Sequence, residues 1–300
     1  MNEMNAPAVA ASKKQRNARF GLYGGAWLRL RANNWARWAA WMLLVLLVLL
    51  FVVGPLLSPY APDHADWDHI LVGPGFVAGH YLGTDVVGRD LFARILQGGR
   101  ISLLVGLAGA LVSLVIGVCY GAIAGYVGGR LDMLMMRLVD LLYALPFMFF
   151  VILLMVFFGR SFLLIFVAIG AINWLDMARI VRGQTMSLRN LAFIEAARVY
   201  GQSTIGILVR HVLPNLLGVV LVYATMTIPQ VMMIEAFLSF LGLGVQEPMT
   251  SWGTLIKEGA DLMEVAPYLL IFPGGCFALT VLCFNILGDG LRDALDPKER

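Results

Sequence analysis

The feature that most constrains this chain is a series of apolar runs, each about long enough to cross a bilayer. The first, Trp38–Leu57, contains the unbroken block Leu43–Val53. About 20 apolar residues in a helix cross the ~30 Å hydrocarbon layer. Five further runs follow at 101–127, 138–158, 162–179, 215–245 and 267–287. Composition agrees: the chain is 60% hydrophobic and 14% charged, where a soluble domain has about half and a quarter. The expectation is an all-α integral membrane protein with six transmembrane helices. The first run is read as an uncleaved anchor. Its apolar stretch and basic leader are both too long for a signal peptide, and Gly54-Pro55 offers no small-residue cleavage site.

Six spans put both termini on one side. Lys13, Lys14, Arg16, Arg19, Arg29, Arg31 and Arg37 crowd the leader, so the positive-inside rule makes that side the cytoplasm. With this orientation only Arg89, Arg94, Arg100, Arg160 and Lys257 of the 22 lysines and arginines fall outside. Trp35, Trp38 and Trp41 form an aromatic belt at the first interface. The chain then divides into a basic cytoplasmic segment (1–37), the anchor (38–57), an external loop (58–100), a transmembrane domain (101–290) with a large cytoplasmic loop (180–214), and a cytoplasmic tail (291–300).

Within the spans, Gly117, Gly121 and Gly125 recur every four residues and predict close helix packing on one face. Pro146 and Pro229 predict kinks or local unwinding. Arg137 and Asp140, three apart, are expected to pair on one helix face. Cys119, Cys276 and Cys283 lie in apolar runs without metal-ligand spacing and read as small buried side chains.

The external loop holds His64, His69 and His80 with Asp63, Asp66 and Asp68. Their spacing matches no ligand set on a helix or hairpin, so solvated loop residues and no metal are expected. Thr84 or Asp85 is a candidate cap for the helix entering span two. Farther on, Gly242 and Gly244 end a long helix and Pro248 prevents its continuation. Leu255, Ile256 and Leu262 then lie beyond the bilayer, in either a lid-like re-entrant segment or an ordered loop. Glu235 is a carboxylate inside a span, where charge costs on the order of 3 kcal/mol. It serves either proton coupling or a structural hydrogen bond near an outer gate.

No chemical engine is visible. The four lysines, Lys13, Lys14, Lys257 and Lys298, do not follow glycines, so no phosphate-cradling Gly-Lys loop exists. Gly-x-Ser-x-Gly and His-Glu-x-x-His are also missing. An enzyme is not expected, and active transport must draw energy from another chain.

The 180–214 loop reads as two short helices. Asn190 is a candidate N-cap for Leu191–Tyr200, Gly201 breaks that helix, and Ser203 starts another through Ile205–Val212. Ala196 and Ala197 leave room for a partner surface. Pro214 is expected to end this prong, with span five starting at once.

The residues Glu195-Ala196-Ala197, three more, Gly201, nine more, then His211-Val-Leu213-Pro214 resemble the loop signature of permease subunits of bacterial ABC importers. The one departure is His211 at the usual Ile, a feature of the peptide and nickel branch. His80–Asp90 with Gly99–Ser102, Leu238–Gly244 with Ser251–Gly253, and Asn285–Pro297 resemble the C-type permease of these importers. Pro146–Gly159 and Ile165–Thr185 resemble its oligopeptide members. Tyr268 stands where relatives often have Trp, a swap expected to matter little.

The resemblance implies a type I ABC importer permease fold and a heterodimer with a homologous B-type permease. It implies two cytoplasmic ATPase subunits that carry ATP and Mg, and an external peptide-binding protein. Glu195, Ala196, Ala197, Gly201, His211, Leu213 and Pro214 would take the force of the ATPases. Glu235, Gly242, Gly244 and Trp252 are outer-gate candidates. No catalytic residue, cofactor, metal or nucleic-acid partner is expected on this chain itself. Oligopeptides are the implied cargo, with dipeptides, nickel or glutathione as the alternative and a Glu235-dependent proton-coupled transporter as a distant one.

Overall fold

The computed structural model describes residues 29–75, 79–158 and 162–295. Lys13, Lys14, Arg16, Arg19, Arg160, Lys298 and Arg300, on which part of the charge asymmetry rests, lie outside the described residues. Ten helices carry the fold: α1 (Asn34–Val48), α2 (Leu91–Val127), α3 (Gly129–Ala144), α4 (Phe147–Phe158), α5 (Phe162–Leu188), α6 (Ala192–Val199), α7 (Thr204–Ile207), α8 (Leu213–Phe240), α9 (Trp252–Asp261) and α10 (Tyr268–Leu295). Helix α1 widens into a π turn at Leu49–Val53 and ends in a single α turn, Gly54–Leu57. The described residues form no β-strand, only two isolated bridges, Ala65 with Arg89 and Thr84 with Asp90.

Four helices among the described residues are long and apolar enough to cross a membrane: Asn34–Val53, Leu91–Val127, Thr204–Phe240 and Tyr268–Leu295. A fifth span results if α3 and the Phe149–Phe158 part of α4 count together, across an 81° bend. The bend falls at Leu145-Pro146, as expected of a proline that cannot continue a helix. The expected span at 162–179 is the first part of α5, which continues to Leu188 and carries Asp176, Arg179 and Arg182. Pro229, by contrast, does not break α8, which runs as one α-helix from Leu213 to Phe240.

Helix α2 is the post around which the others assemble, because its glycines let three neighbours approach its backbone. At Gly125 a Cβ atom would lie 2.6 Å from the Arg182 carbonyl, and Gly117 faces the Met177 side chain. This is the close approach to α5 that the four-residue spacing predicts. Two more glycine sets were not singled out in the sequence. Gly106 and Gly109 face Ile228, Val231 and Met232 of α8, while Gly98 and Gly99 face Ser251 and Trp252.

The Arg137–Asp140 pair does not form. Asp140 accepts instead from Arg179 at 2.8 Å, since α5 presents its guanidinium to the same helix face. Of the cysteines only Cys283 is buried, and Cys119 is exposed on the outer face of α2. Exposed Trp35 and Trp41 sit on the outside of α1, as an interfacial belt requires.

Candidate functional site

The prong begins at α6, whose two faces differ. Ile194 and Ala197 are buried with Ala122, Tyr126, Met177, Val181 and Val212, so one face is anchored where α2, α5 and α8 meet. Glu195, Ala196, Val199 and Tyr200 face outward, with Val199 and Tyr200 at 87% and 86% exposure. Among the described residues the Glu195 side chain has no hydrogen-bond or ion-pair partner. Arg198 reaches back to the Tyr126 hydroxyl at 3.1 Å, and its guanidinium lies 5.0 Å from that ring.

Asn190 is not the cap of this helix. Leu191 occupies the N-cap position, without a side-chain bond, because the chain turns one residue later than the capping pattern suggests. The C-terminus explains Gly201. Its amide donates to the Arg198 carbonyl and the Gln202 amide to the Ala197 carbonyl, the paired bonds of a Schellman end. That motif needs a left-handed residue after the helix, and Gly201 has φ +75°.

Ser203 caps α7 through a 3.2 Å bond from the Gly206 amide, as expected. Pro214 does not end the prong. Helix α7 widens into a π turn at Leu208–Val212 and enters α8 without interruption, so Thr204–Phe240 is a single 37-residue helix. Pro214 is tolerated at the first turn of α8, where the looser π geometry already leaves the regular ladder. His211 spans the corner: its Nε2 lies 2.9 Å from Gln202 Oε1. Its carbonyl accepts from Asn215 at 2.7 Å. Leu213 packs beside the buried cluster and Pro214 is exposed.

The far end of α8 holds the outer-gate candidates. Gly242 adopts φ +78°, and the Leu243 amide donates to the Leu238 carbonyl at 2.8 Å, a second Schellman end. Gly244 lies against Ser239, leaving no room for a Cβ. Glu235 is fully buried and accepts from Ser239 at 2.7 Å and, more loosely, from Ser102 at 3.4 Å. Ser102 in turn accepts from the Trp252 amide at 3.0 Å. Buried Trp252 donates its indole N–H to the Ile95 carbonyl, also at 3.0 Å. A Glu–Ser–Trp node thus joins α8, α2 and α9. Helix α9 is an ordered amphipathic helix, started by a Ser251–Thr254 capping box and buried through Trp252 and Leu255.

The loop before α2 leaves Asp63, His64 and Asp68 exposed, as expected, but buries a second set of charged and polar side chains. Asp90, not Thr84 or Asp85, caps α2 by accepting from the Ala93 amide at 2.8 Å. Asp85 is engaged elsewhere: it accepts from Arg89 at 2.7 Å and from Arg94 at 2.6 Å, and Arg94 continues to Glu258 of α9 at 2.6 Å. Arg89 also reaches Glu247 at 2.8 Å, and its cation holds that carboxyl below the usual range. His80 is 1% exposed, and Asp66 lies beside His69. The expectation of solvated loop residues fails there, because Gly83 and Gly88, with φ +89° and +79°, fold the segment back on itself. Tyr268 donates its hydroxyl to the Thr84 carbonyl at 2.9 Å, so the Tyr-for-Trp position carries a specific bond to this loop. The alternation of Asp85, Arg89, Asp90 and Arg94 was the signal for this network.

A family model described as "binding-protein-dependent transport system inner membrane component" matches residues 117–300. A second, "N-terminal TM domain of oligopeptide transport permease C", matches residues 21–74. The chain is 57% identical to the oligopeptide transport system permease protein OppC of Escherichia coli K12, covering 83% of this chain and 82% of that one. It is 44% identical to the dipeptide transport system permease protein DppC of Bacillus subtilis, covering 92% and 85% respectively. A glutathione transport system permease protein, GsiD of Pectobacterium atrosepticum, is 43% identical over 81% of this chain and 80% of that one. Among solved structures, a chain of the inward-facing MetNI methionine ABC transporter aligns with TM-score 0.54 and 18% identity. It covers 68% of this chain and 96% of that one, a likeness of fold. The chain belongs to the family of binding-protein-dependent transport system inner-membrane components, as a multi-pass permease.

Proposed function

We propose that this chain is the C-type permease half of an ATP-driven oligopeptide importer, coupled to separate ATPase subunits through Glu195–Pro214. The observation that carries this reading is mechanical. Glu195, Val199 and Tyr200 stand exposed on a helix anchored to the core by its other face, and the Gly201 corner leads into one helix running to Phe240. Force applied at α6 would pass through the His211–Gln202 bridge into α8 and on to the Glu235 node. On this reading α5 also crosses the membrane, giving six spans with both termini cytoplasmic. A homologous B-type permease completes the path, two ATPases supply ATP and Mg, and an external binding protein delivers the cargo. The 57% identity to an oligopeptide permease over most of both chains supports that cargo. The dipeptide and glutathione relatives keep a second cargo class in view.

The proton-coupled alternative is weakened by the surroundings of Glu235. It is fully buried, held by Ser239 at 2.7 Å and Ser102 at 3.4 Å within the node that joins α8, α2 and α9, as suits a structural hydrogen-bonding role. Peptide uptake by proteoliposomes holding the whole complex separates the readings. Uptake that requires internal ATP, and survives Glu235→Gln, is expected. Uptake that persists without ATP under a proton gradient, and is lost in that variant, would overturn the coupling assignment.

A further inference from the structure

His80 lies in the loop before α2, and its ring is almost wholly buried, with 1% of the side chain exposed. Its Nδ1 is 2.9 Å from Asp90 Oδ1. An ionised carboxylate can only accept, so Nδ1 must donate. The other ring nitrogen, Nε2, is buried and has no hydrogen-bond partner. It points toward Asp66 Oδ2 at 3.6 Å, beyond hydrogen-bond reach. The same Asp66 oxygen lies 2.9 Å from Nδ1 of His69. All three atoms fall within 4.8 Å of one another. Tyr60 stacks on the His80 ring at 4.3 Å between centroids, which fixes its plane.

A buried ring nitrogen with no hydrogen-bond partner among the described residues, facing a carboxylate oxygen at 3.6 Å, leaves a place that a bound cation would satisfy. Two nitrogens and one oxygen within 4.8 Å of one another supply the donor set of a divalent transition-metal ion. Ligands bound to zinc at about 2.0–2.1 Å in tetrahedral geometry lie roughly 3.3 Å apart. The separations of 2.9 and 3.6 Å bracket that figure. Imidazole and carboxylate without thiolate suit Zn(II) or a neighbouring first-row ion rather than Cu(I). The Asp90–His80 bond is the carboxylate contact that commonly orients a metal-bound histidine. Three protein ligands leave a fourth position for water.

We propose that Asp66, His69 and His80 form a zinc-class metal site, with Asp90 as the residue that orients His80. Asp90 also caps α2, so the metal would tie Asp66, His69 and His80 to the start of that helix. Sequence spacing hides the site because no two ligands share a helix or a hairpin. The turns around Gly83 and Gly88 bring them together.

The test is equilibrium dialysis of the full-length chain, in nanodiscs, against ZnCl2, with metal content read by mass spectrometry and affinity by competition with a chromophoric chelator. About one zinc per chain is expected. His69→Ala, at a half-exposed position that tolerates truncation, is expected to lose it while the protein stays folded. Asp90→Asn keeps a helix-capping side chain and is expected to weaken binding roughly 10–100-fold. Zinc content in the unaltered chain no higher than in His69→Ala would overturn the site. So would full retention of affinity in Asp90→Asn. Either result would leave His80 as a side chain held by Asp90 without a metal.

Discussion

The prong at 192–214 and the loop at 58–100 are both connections between long helices, and both are rich in polar residues and glycine. They handle their polar groups in opposite ways. The loop buries part of its charge and pairs it within the chain: Asp85 with Arg89 and Arg94, and Arg94 with Glu258. The prong pairs Arg198 and His211 internally but leaves Glu195 without a partner among the described residues, beside Val199 and Tyr200 at near-full exposure. A connection that satisfies its own groups holds the fold together. One that leaves a carboxylate and large apolar side chains facing outward fits the proposed contact with an ATPase subunit.

The sharpest way to break this comparison is at the most buried charge of the loop. Arg94→Ala removes one of the two guanidinium partners of Asp85, which is 2% exposed and keeps Arg89, and is expected to destabilise the protein by about 1.5–3 kcal/mol. A thermal unfolding midpoint within a degree of the unaltered protein would mean the loop is not self-satisfied. The prong is expected to be gentler. A Cβ at Gly201 meets nothing within 4 Å, so Gly201→Ala costs only the left-handed backbone penalty, about 1–2 kcal/mol. Helicity and melting of the purified chain would read this; a larger loss would reveal packing at the corner. The smallest effect is expected at Glu247, 70% exposed and paired with Arg89. Its lowered pKa places the stabilisation above the ordinary value of 4.5 and removes it as pH falls through the lower folded value. Glu247→Gln should therefore change stability by less than about 1 kcal/mol at neutral pH and flatten the acid side of the profile. An unchanged acid limb would remove the pair from the account.

Much of this was legible in the residues. Runs of apolar side chains announced the long helices, the four-residue glycine spacing announced the α2–α5 contact, and Pro146 announced a bend. Each is a local pattern with a local cause. What escaped depends on where separate segments meet. The Arg179–Asp140 pair, the Asp85–Arg94–Glu258 chain and the His80–Asp90 contact join residues 9 to 164 positions apart, and no spacing rule reaches that far. Local patterns also misled at boundaries. Asn190 and Asp85 look like caps, yet Leu191 and Asp90 hold those places, because packing shifted where each helix begins. Pro214 looked like a stop, and a π turn absorbed it. The signature residues of the prong were found because their spacing lies along one continuous stretch of chain.

The proposed transfer of force through α6 is tested most directly by Glu195→Lys in the complete complex, measured as ATP-driven peptide uptake into proteoliposomes alongside the amount of chain inserted. Glu195 is exposed and unpaired among the described residues, so reversing its charge should leave folding and insertion unchanged within about 0.5 kcal/mol. Uptake is predicted to fall to background. Normal uptake at normal insertion would contradict the account.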